Sequence, residues 1–233
     1  MNIAIISDIH GNLEALTAVF AYLDGRGIDT VYCLGDTIGY GANPNECCEA
    51  IRSRNAVCVL GNHDAALWDD EVFVQFTPMA QRAMSWTRSV VDADNHQFIK
   101  SLPLVVSSGD CTFVHASLDR PELFRYVFTE EDALFNLSLS RTPLCWIGHS
   151  HHPVIFSEKG ETADVSRKGK FIVNVGSVGQ PRDGDPRLSF GVFDTERFVY
   201  ENIRLEYDVV AACRKIIDAG LPQRLGERLL AGI

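Results

Sequence analysis

Three short apolar runs, each ending in a polar turn, set the pattern of the amino-terminal part of the chain. Ile3-Ala4-Ile5-Ile6-Ser7 runs into Asp8-Ile9-His10-Gly11, Thr30 to Leu34 into Gly35-Asp36, and Val57 to Leu60 into Gly61-Asn62-His63-Asp64. Apolar runs of this length between turn residues predict strands buried on both faces. Behind the first, Asn12 suits a helix cap, and Leu13, Leu16, Phe20 and Leu23 recur at helical spacing until Gly25 and Gly27 end the helix. A glycine-rich loop from Gly39 to Pro44 leads into a second helix starting near Asn45. The polar clusters at Asp8, Asp36 and Asn62 lie 28 and 26 residues apart, one strand–helix unit each. Such crossovers give parallel neighbouring strands, so the clusters belong on one rim of one sheet, where open α/β sheets place their chemistry. Asp8 and His10 are two apart, which on extended backbone points both to the same side.

From Asp64 to about Leu102 the pattern turns helical. Thr77-Pro78 is a cap with proline at the first helical position, opening a helix to about Val91, and a shorter one spans Asn95 to Ser101. Trp68, Phe73, Phe76 and Trp86 in this segment either cap a substrate cleft or cover the sheet. Leu104–Ser107 and Cys111–Val114 flank a Ser-Gly-Asp turn, an antiparallel hairpin that delivers His115 at its end. A helix from Glu130 to Leu139 follows, and Leu144–Ile147 then leads into Gly148-His149-Ser150-His151-His152. Residues 154–156, 171–175, 189–194 and 198–204 read as strands, Tyr207–Ala219 as a closing helix, with a tail helix from Leu221. With no repeat, low-complexity stretch or linker, the expectation is one α/β domain over residues 1–233, carrying a helical insertion at about 65–102.

Composition narrows the class. Hydrophobic residues at 46% and charged residues at 22% are ordinary for a globular chain. A formal net charge of −10 argues against a nonspecific nucleic-acid or membrane-surface binder. An anionic substrate stays open, because bound metal ions reverse a local field. The seven cysteines are odd in number and form no C-x-x-C pair, and Cys33, Cys58 and Cys145 sit inside apolar runs. That pattern suits a reducing cytosol rather than a disulfide framework. The apolar run Ile3–Ile6 is too short for a signal sequence or a membrane span, so a cytoplasmic protein is expected.

Five of the seven histidines, His10, His63, His115, His149 and His151, fall at ends of expected strands, beside Asp8, Asp36 and Asn62. Imidazole with carboxylate and amide oxygen, and no thiolate, suits manganese, iron, zinc, nickel or cobalt better than magnesium or calcium. So many donors exceed what one ion needs, and two divalent ions sharing a carboxylate is the economical arrangement, with Asp36 in the middle cluster as the natural bridge. Two such ions outweigh Asp8, Asp36 and a bridging hydroxide, leaving an electropositive site suited to a phosphate ester that the hydroxide attacks. His63, next to Asn62, is the natural group to protonate the leaving oxygen or hold a phosphoryl oxygen.

In order and spacing, Asp8-x-His10, Gly35-Asp36, Gly61-Asn62-His63-Asp64, His115 and Gly148-His149-x-His151 resemble the calcineurin-like metallophosphoesterases. The stretch Asn174 to Asp185 is similar to the small prokaryotic branch of that family. The resemblance implies a four-layer α-β-β-α sandwich and two metals. One would take Asp8, His10, Asp36 and His151; the other Asp36, Asn62, His115 and His149; His63 would be the catalytic histidine, with Asn62 also near substrate. His96 and His152 match no motif and are expected on the surface.

The chain departs from the family's serine/threonine phosphatases and symmetrical diadenosine tetraphosphatases. Gly35-Asp36 is followed by Thr37-Ile38-Gly39-Tyr40-Gly41, with none of their Asp-Arg pair, and the third motif ends in Asp64 rather than Glu. The expected substrate is therefore a small phosphodiester or phosphomonoester, nucleotides included. Nucleotide-polyphosphate or phosphoprotein phosphatase, nuclease and non-catalytic scaffold are the alternatives. In the loop after Val175, Gly176, Gly179 and Gly184 give room for turns, and Arg182 is its first cation. Its fork suits a second, non-reacting phosphate oxygen, or else it pairs with Asp183 or Asp185 and holds the loop.

Overall fold

Alternating side chains build the molecule in four layers. The computed structural model describes residues 1–233. Its strands are β1 (Asn2–Ile6), β2 (Val31–Cys33), β3 (Val57–Cys58), β4 (Val105–Ser108), β5 (Cys111–Val114), β6 (Leu144–Ile147), β7 (Val154–Ser157), β8 (Gly160–Thr162), β9 (Phe171–Asn174), β10 (Leu188–Asp194) and β11 (Val199–Leu205). Its helices are α1 (Leu13–Arg26), α2 (Pro44–Ser53), α3 (Asn62–Ala65), α4 (Asp70–Phe73), α5 (Pro78–Val90), α6 (Ala93–Lys100), α7 (Glu130–Leu139), α8 (Val209–Asp218) and α9 (Gln223–Ala231).

The strands form a five-stranded sheet, β11-β10-β1-β2-β3, and a six-stranded sheet, β4-β5-β6-β9-β7-β8. Successive side chains on a strand point to opposite faces. Thus Ile3 and Ile5 of β1 lie between the sheets, while Ala4 and Ile6 pack on the layer holding α1 and α2. In β6, Leu144 and Trp146 meet them from the other sheet, while Cys145 and Ile147 pack against Ala133 and Leu137 of α7. The α-β-β-α sandwich follows from this alternation.

β1, β2 and β3 are parallel neighbours, and so are β5, β6 and β9. Both parallel sets release their chains at the same edge of the sandwich, which gathers the polar clusters from two sheets. Helices α3 to α6 carry Ala65, Met84 and Ile99 into a further apolar cluster with Ile38, Ala116 and Phe124 beside that edge. Helices α8 and α9 pack Ile216 and Leu229 with Ala83 of α5.

Two expectations change. β3 is two residues long and forms the sheet edge, with Val57 exposed, rather than a strand buried on both faces. Its continuation leaves the ladder because the Leu60 N–H donates to Pro103 O at 2.8 Å. β8 escaped the sequence reading because Gly-Glu-Thr carries no apolar alternation; it pairs with β7 as an edge strand.

Candidate metal centre

Left-handed backbone brings the polar side chains together. Asp8 (φ 54°), His10 (φ 50°), Asp36 (φ 53°), His149 (φ 66°) and His151 (φ 62°) all lie in the region that non-glycine residues avoid. The extended-backbone account of Asp8 and His10 is therefore wrong, although the two do converge. Such residues persist only where their surroundings over-determine them. Here Asp8 N–H donates to Gly35 O at 3.0 Å, His10 N–H to Asp36 O at 2.9 Å and Gly11 N–H to Thr37 O at 2.9 Å, lacing the β1 loop to the β2 loop.

All seven proposed ligands are buried at this edge. His10 Nε2 lies 3.2 Å from His151 Nε2, and Asp8 Oδ1 lies 3.2 Å from His151 Nε2 and 3.8 Å from His10 Nε2. On the other side, His115 Nε2 lies 3.0 Å from Asn62 Oδ1 and 3.1 Å from His149 Nδ1. Asp36 stands between the halves. Its Oδ2 is 3.7 Å from His10 Nε2 and 3.4 Å from His115 Nε2, while its Oδ1 accepts the His63 N–H at 2.8 Å.

These donors fit cations better than they fit one another. Nδ1 of His10, His115 and His151 faces the carbonyls of Ile38, Leu34 and Gln180 at 3.1, 2.8 and 2.6 Å. A carbonyl only accepts, so each Nδ1 carries hydrogen and each Nε2 turns a lone pair inward, the usual bracing of a metal-binding imidazole. Two inward lone pairs 3.2 Å apart repel unless something positive lies between them. Asp8 Oδ1 and His149 Nε2 are buried without any hydrogen-bond partner. Three sets of donors lie within 4.8 Å of one another: Asp8-His10-His151, Asp36-His115-His149, and His10-Asp36-His63. His63 thus stands within reach of the cluster as well.

Without a cation, protons take its place. Burial opposes charge on His115, but Asp36 and Asp8 overcome it and carry its pKa up to about 10. Burial likewise opposes ionisation of Asp36, yet His115, His63 and His10 hold it well below the usual carboxylate range. Burial and the charge on His115 push His149 down to about 3.

His63 is held by packing. Burial pushes its pKa down to about 4, and its Nδ1 is buried without a partner. Its ring stacks on Phe76 at 4.4 Å and meets Tyr40 at 4.5 Å. The following Asp64 accepts N–H groups of Thr37, Ile38 and Gly61 at 3.0, 3.3 and 3.2 Å, pinning the turn itself. Gly61 is required there, because a Cβ would come within 2.1 Å of Asp36 Oδ1.

Of the four aromatics singled out in the sequence, Phe76 reaches the centre. Phe73 packs under the Arg88 guanidinium, Trp68 meets His96 edge-on at 6.1 Å, and Trp86 packs beside α8 and α9. His96 and His152 are half-buried rather than fully on the surface, and neither joins a metal-binding set. Arg182 pairs with neither Asp183 nor Asp185, which are taken by Arg204 and Arg187. It donates to Gln180 Oε1 at 3.2 and 2.7 Å and lies over the Tyr40 ring at 5.8 Å. Tyr40, Tyr126 and Gln180 were missed. Tyr40 lies inside the glycine-rich loop and Gln180 inside the Asn174–Asp185 stretch, whereas Tyr126 lies in no motif.

Residues 1–197 match the calcineurin-like phosphoesterase superfamily domain. The chain belongs to that superfamily. An uncharacterized protein of Methanocaldococcus jannaschii is 42% identical over 241 residues, spanning 99% of this chain and 98% of its own. The crystal structure of a metallophosphoesterase from Sphaerobacter thermophilus is 36% identical and superposes with a TM-score of 0.89, covering 100% of this chain and 99% of that one. That of a hypothetical protein from Pyrococcus horikoshii OT3 shares the fold at 19% identity and a TM-score of 0.84, over 100% and 98% of the two chains. No helix is long and apolar enough to cross a membrane.

Proposed function

We propose that this chain, acting as one catalytic unit over residues 1–233 with residues 65–102 inserted beside the centre, is a cytoplasmic phosphoesterase dependent on two divalent transition-metal ions. It hydrolyses a small phosphodiester or phosphomonoester. The carrying observation is the pair of inward-facing histidine clusters that share Asp36, whose Oδ2 faces both His10 and His115. Asp8, His10, Asp36 and His151 would hold one ion, and Asp36, Asn62, His115 and His149 the other, with manganese among the candidates. When bound, the pair supplies an activated water and positive charge for the phosphoryl oxygens. The superfamily membership and the metallophosphoesterase relative support this reading.

The chain's own residues divide the remaining work. Asn62 turns its Oδ1 to the cluster, 3.0 Å from His115 Nε2. His63, neutral at pH 7 with its pKa near 4, offers a ring N–H to the leaving or a phosphoryl oxygen. Arg182, free of carboxylates, offers its remaining N–H groups to an oxygen not involved in bond breaking. Burial of the ligands limits the water around the reacting phosphorus.

The test is hydrolysis of bis-p-nitrophenyl and p-nitrophenyl phosphate by protein loaded with manganese, beside a chelated sample. Loading should switch activity on, and His63→Asn should keep the metal yet lose on the order of 10²-fold in turnover. Protein that binds metal but hydrolyses no phosphate ester would make it a non-catalytic scaffold.

A further inference from the structure

The last helix of the chain is seated against the metal centre. The matched superfamily domain ends at residue 197, and α9 lies beyond it. Two contacts fix its place. Leu225 and Leu229 are buried, and Tyr40 packs against the cluster they belong to. Leu229, Tyr40, Gln180 and His10 line one narrow cavity, which sets α9 beside the His10 half of the centre. At its end, Gly232 O accepts the Gly184 N–H at 2.9 Å, tying the helix to the loop that carries Arg182. Gly232, at φ 65°, stands where a Cβ would come within 2.6 Å of the Asp185 backbone, so this approach needs glycine.

This seating gathers positive charge on an acidic protein. Arg224 and Arg228 are four apart on α9, and like charges at that spacing repel. The helix's own carboxylate, Glu227, does not relieve them; it accepts from Gln223 at 2.6 Å. Arg187 and Arg204 on the adjoining segments are each paired with an aspartate, whereas Arg182 and Arg228 are paired with none. Arg228 donates its Nε to the Ile233 carbonyl, and Arg182 donates its Nε and one terminal nitrogen to Gln180 Oε1, so both keep N–H groups open. Burial lowers the Arg228 pKa, and the charge of Arg182 lowers it further. The charge of Arg182 is felt at His63, His151 and Tyr40, and that of Arg228 at Tyr40 and at Arg182 itself. From the centre outward the order is therefore Arg182, over the Tyr40 ring at 5.8 Å, and then Arg228.

Two half-buried guanidiniums within each other's field, with no carboxylate between them, are stabilised by an anion that both can reach. The fork of an arginine matches the paired oxygens of a carboxylate or a phosphate. The reacting phosphate is not that anion for Arg228, which lies beyond Arg182. We propose that Arg182 and Arg228 form a second anion subsite, and that the substrate is a small phosphate ester whose organic part ends in a further anionic group, a carboxylate or a phosphate. This rests on the phosphoesterase reading above. Arg182 serves both ends of such a molecule and Arg228 only the far one. A neutral ester of the same size forgoes the contact with α9.

The experiment uses manganese-loaded protein and three small esters: 3-phosphoglycerate, glycerol 1-phosphate and propane-1,3-diol bisphosphate. The first two differ only in a carboxylate against a hydroxymethyl group. Each is measured as a substrate and as a competitor of bis-p-nitrophenyl phosphate. A doubly anionic ester should surpass glycerol 1-phosphate roughly tenfold in KM or Ki, the scale of one hydrogen bond between charged groups, and the better of the two names the far group. Added salt should narrow the gap. Arg228→Ala should remove most of it, change glycerol 1-phosphate much less and leave the metal content as in wild type. Arg228→Gln keeps a donor for the Ile233 carbonyl and should act in the same way, even where the alanine variant melts early. Arg228→Lys should restore part of the preference. Equal KM and Ki for all three esters, or a preference that survives both Arg228→Ala and Arg228→Gln, would overturn the subsite and leave the phosphoesterase standing. Tighter calorimetric binding of a doubly anionic ester without any hydrolysis would keep the subsite and overturn the phosphoesterase. Equal binding without hydrolysis would overturn both.

Discussion

The backbone N–H of His149 donates to Asp8 Oδ2 at 2.9 Å, joining the loop after β6 in one sheet to the loop after β1 in the other. The approach depends on Gly148, where an added Cβ would lie 1.9 Å from Ser7 Oγ and 2.5 Å from Asp8 Oδ2. Gly148→Ala should therefore push the two loops apart. A loss of about 1–3 kcal/mol is expected, the scale of overpacking a tight site, together with a fall in bound metal. Thermal unfolding and elemental analysis on the same sample check both; unchanged metal content would mean that the loops can separate without harm.

Asp36 faces both halves of the cluster, whereas His115 faces one. Asp36→Asn should weaken both ions, and His115→Ala should mainly release one of the two. Metal stoichiometry after gel filtration distinguishes them. A full complement in Asp36→Asn removes that residue as the bridge.

Metal uptake should release a proton. With its pKa raised to about 10, metal-free His115 keeps its inward proton at pH 7 and must shed it to become a ligand. Apparent affinity is then expected to rise with pH, by up to tenfold per unit below 10, and to fall as pH drops. His149, already near 3, and His63, near 4, add no proton in that range. Calorimetry in two buffers of different ionisation heat counts the protons, and equal heats in both would contradict this account.

Arg182 forms no ion pair, so its removal should cost little stability. Arg182→Ala is expected to raise KM for a phosphate ester while metal content and melting temperature stay close to wild type. Arg204→Ala should do the reverse, because it frees Asp183 and loosens the loop. If Arg182→Ala melts several degrees lower with KM unchanged, the residue is structural.

Much of this architecture was legible before any coordinates. Polar residues ending apolar runs at Asp8, Asp36 and Asn62 mark one rim of one sheet through parallel crossovers. His115 and His149, in contrast, come from the second sheet and joined the site only through the family resemblance. The layer order came with the family resemblance, since a strand such as Leu144–Ile147 is apolar on both faces and does not show which face meets the other sheet. What stayed hidden depends on groups distant in sequence. Nothing local indicates that Asp8 and His10 adopt left-handed backbone, because the carbonyls of Gly35 and Asp36 that hold them belong to another strand's loop. Tyr126 gave no signal, as the alternating aromatics Phe124, Tyr126 and Phe128 look like a loop's own packing until Tyr126 is found on His149. Arg182's freedom from Asp183 and Asp185 depends on Arg204 and Arg187, which arrive from β11 and the residues before β10.

Asp8, His10, Asp36 and Asn62 follow strands of the five-stranded sheet, and His115, His149 and His151 follow strands of the six-stranded sheet. Each proposed ion is therefore a rivet through both halves of the sandwich, with ligands drawn from either side of the apolar layer. A cation that binds the folded chain alone stabilises it by an amount that grows with the logarithm of its free concentration, about 2.7 kcal/mol at a hundredfold excess over Kd. The heat resistance of this molecule then becomes a property of its surroundings, set by the transition metal in reach as much as by its own core.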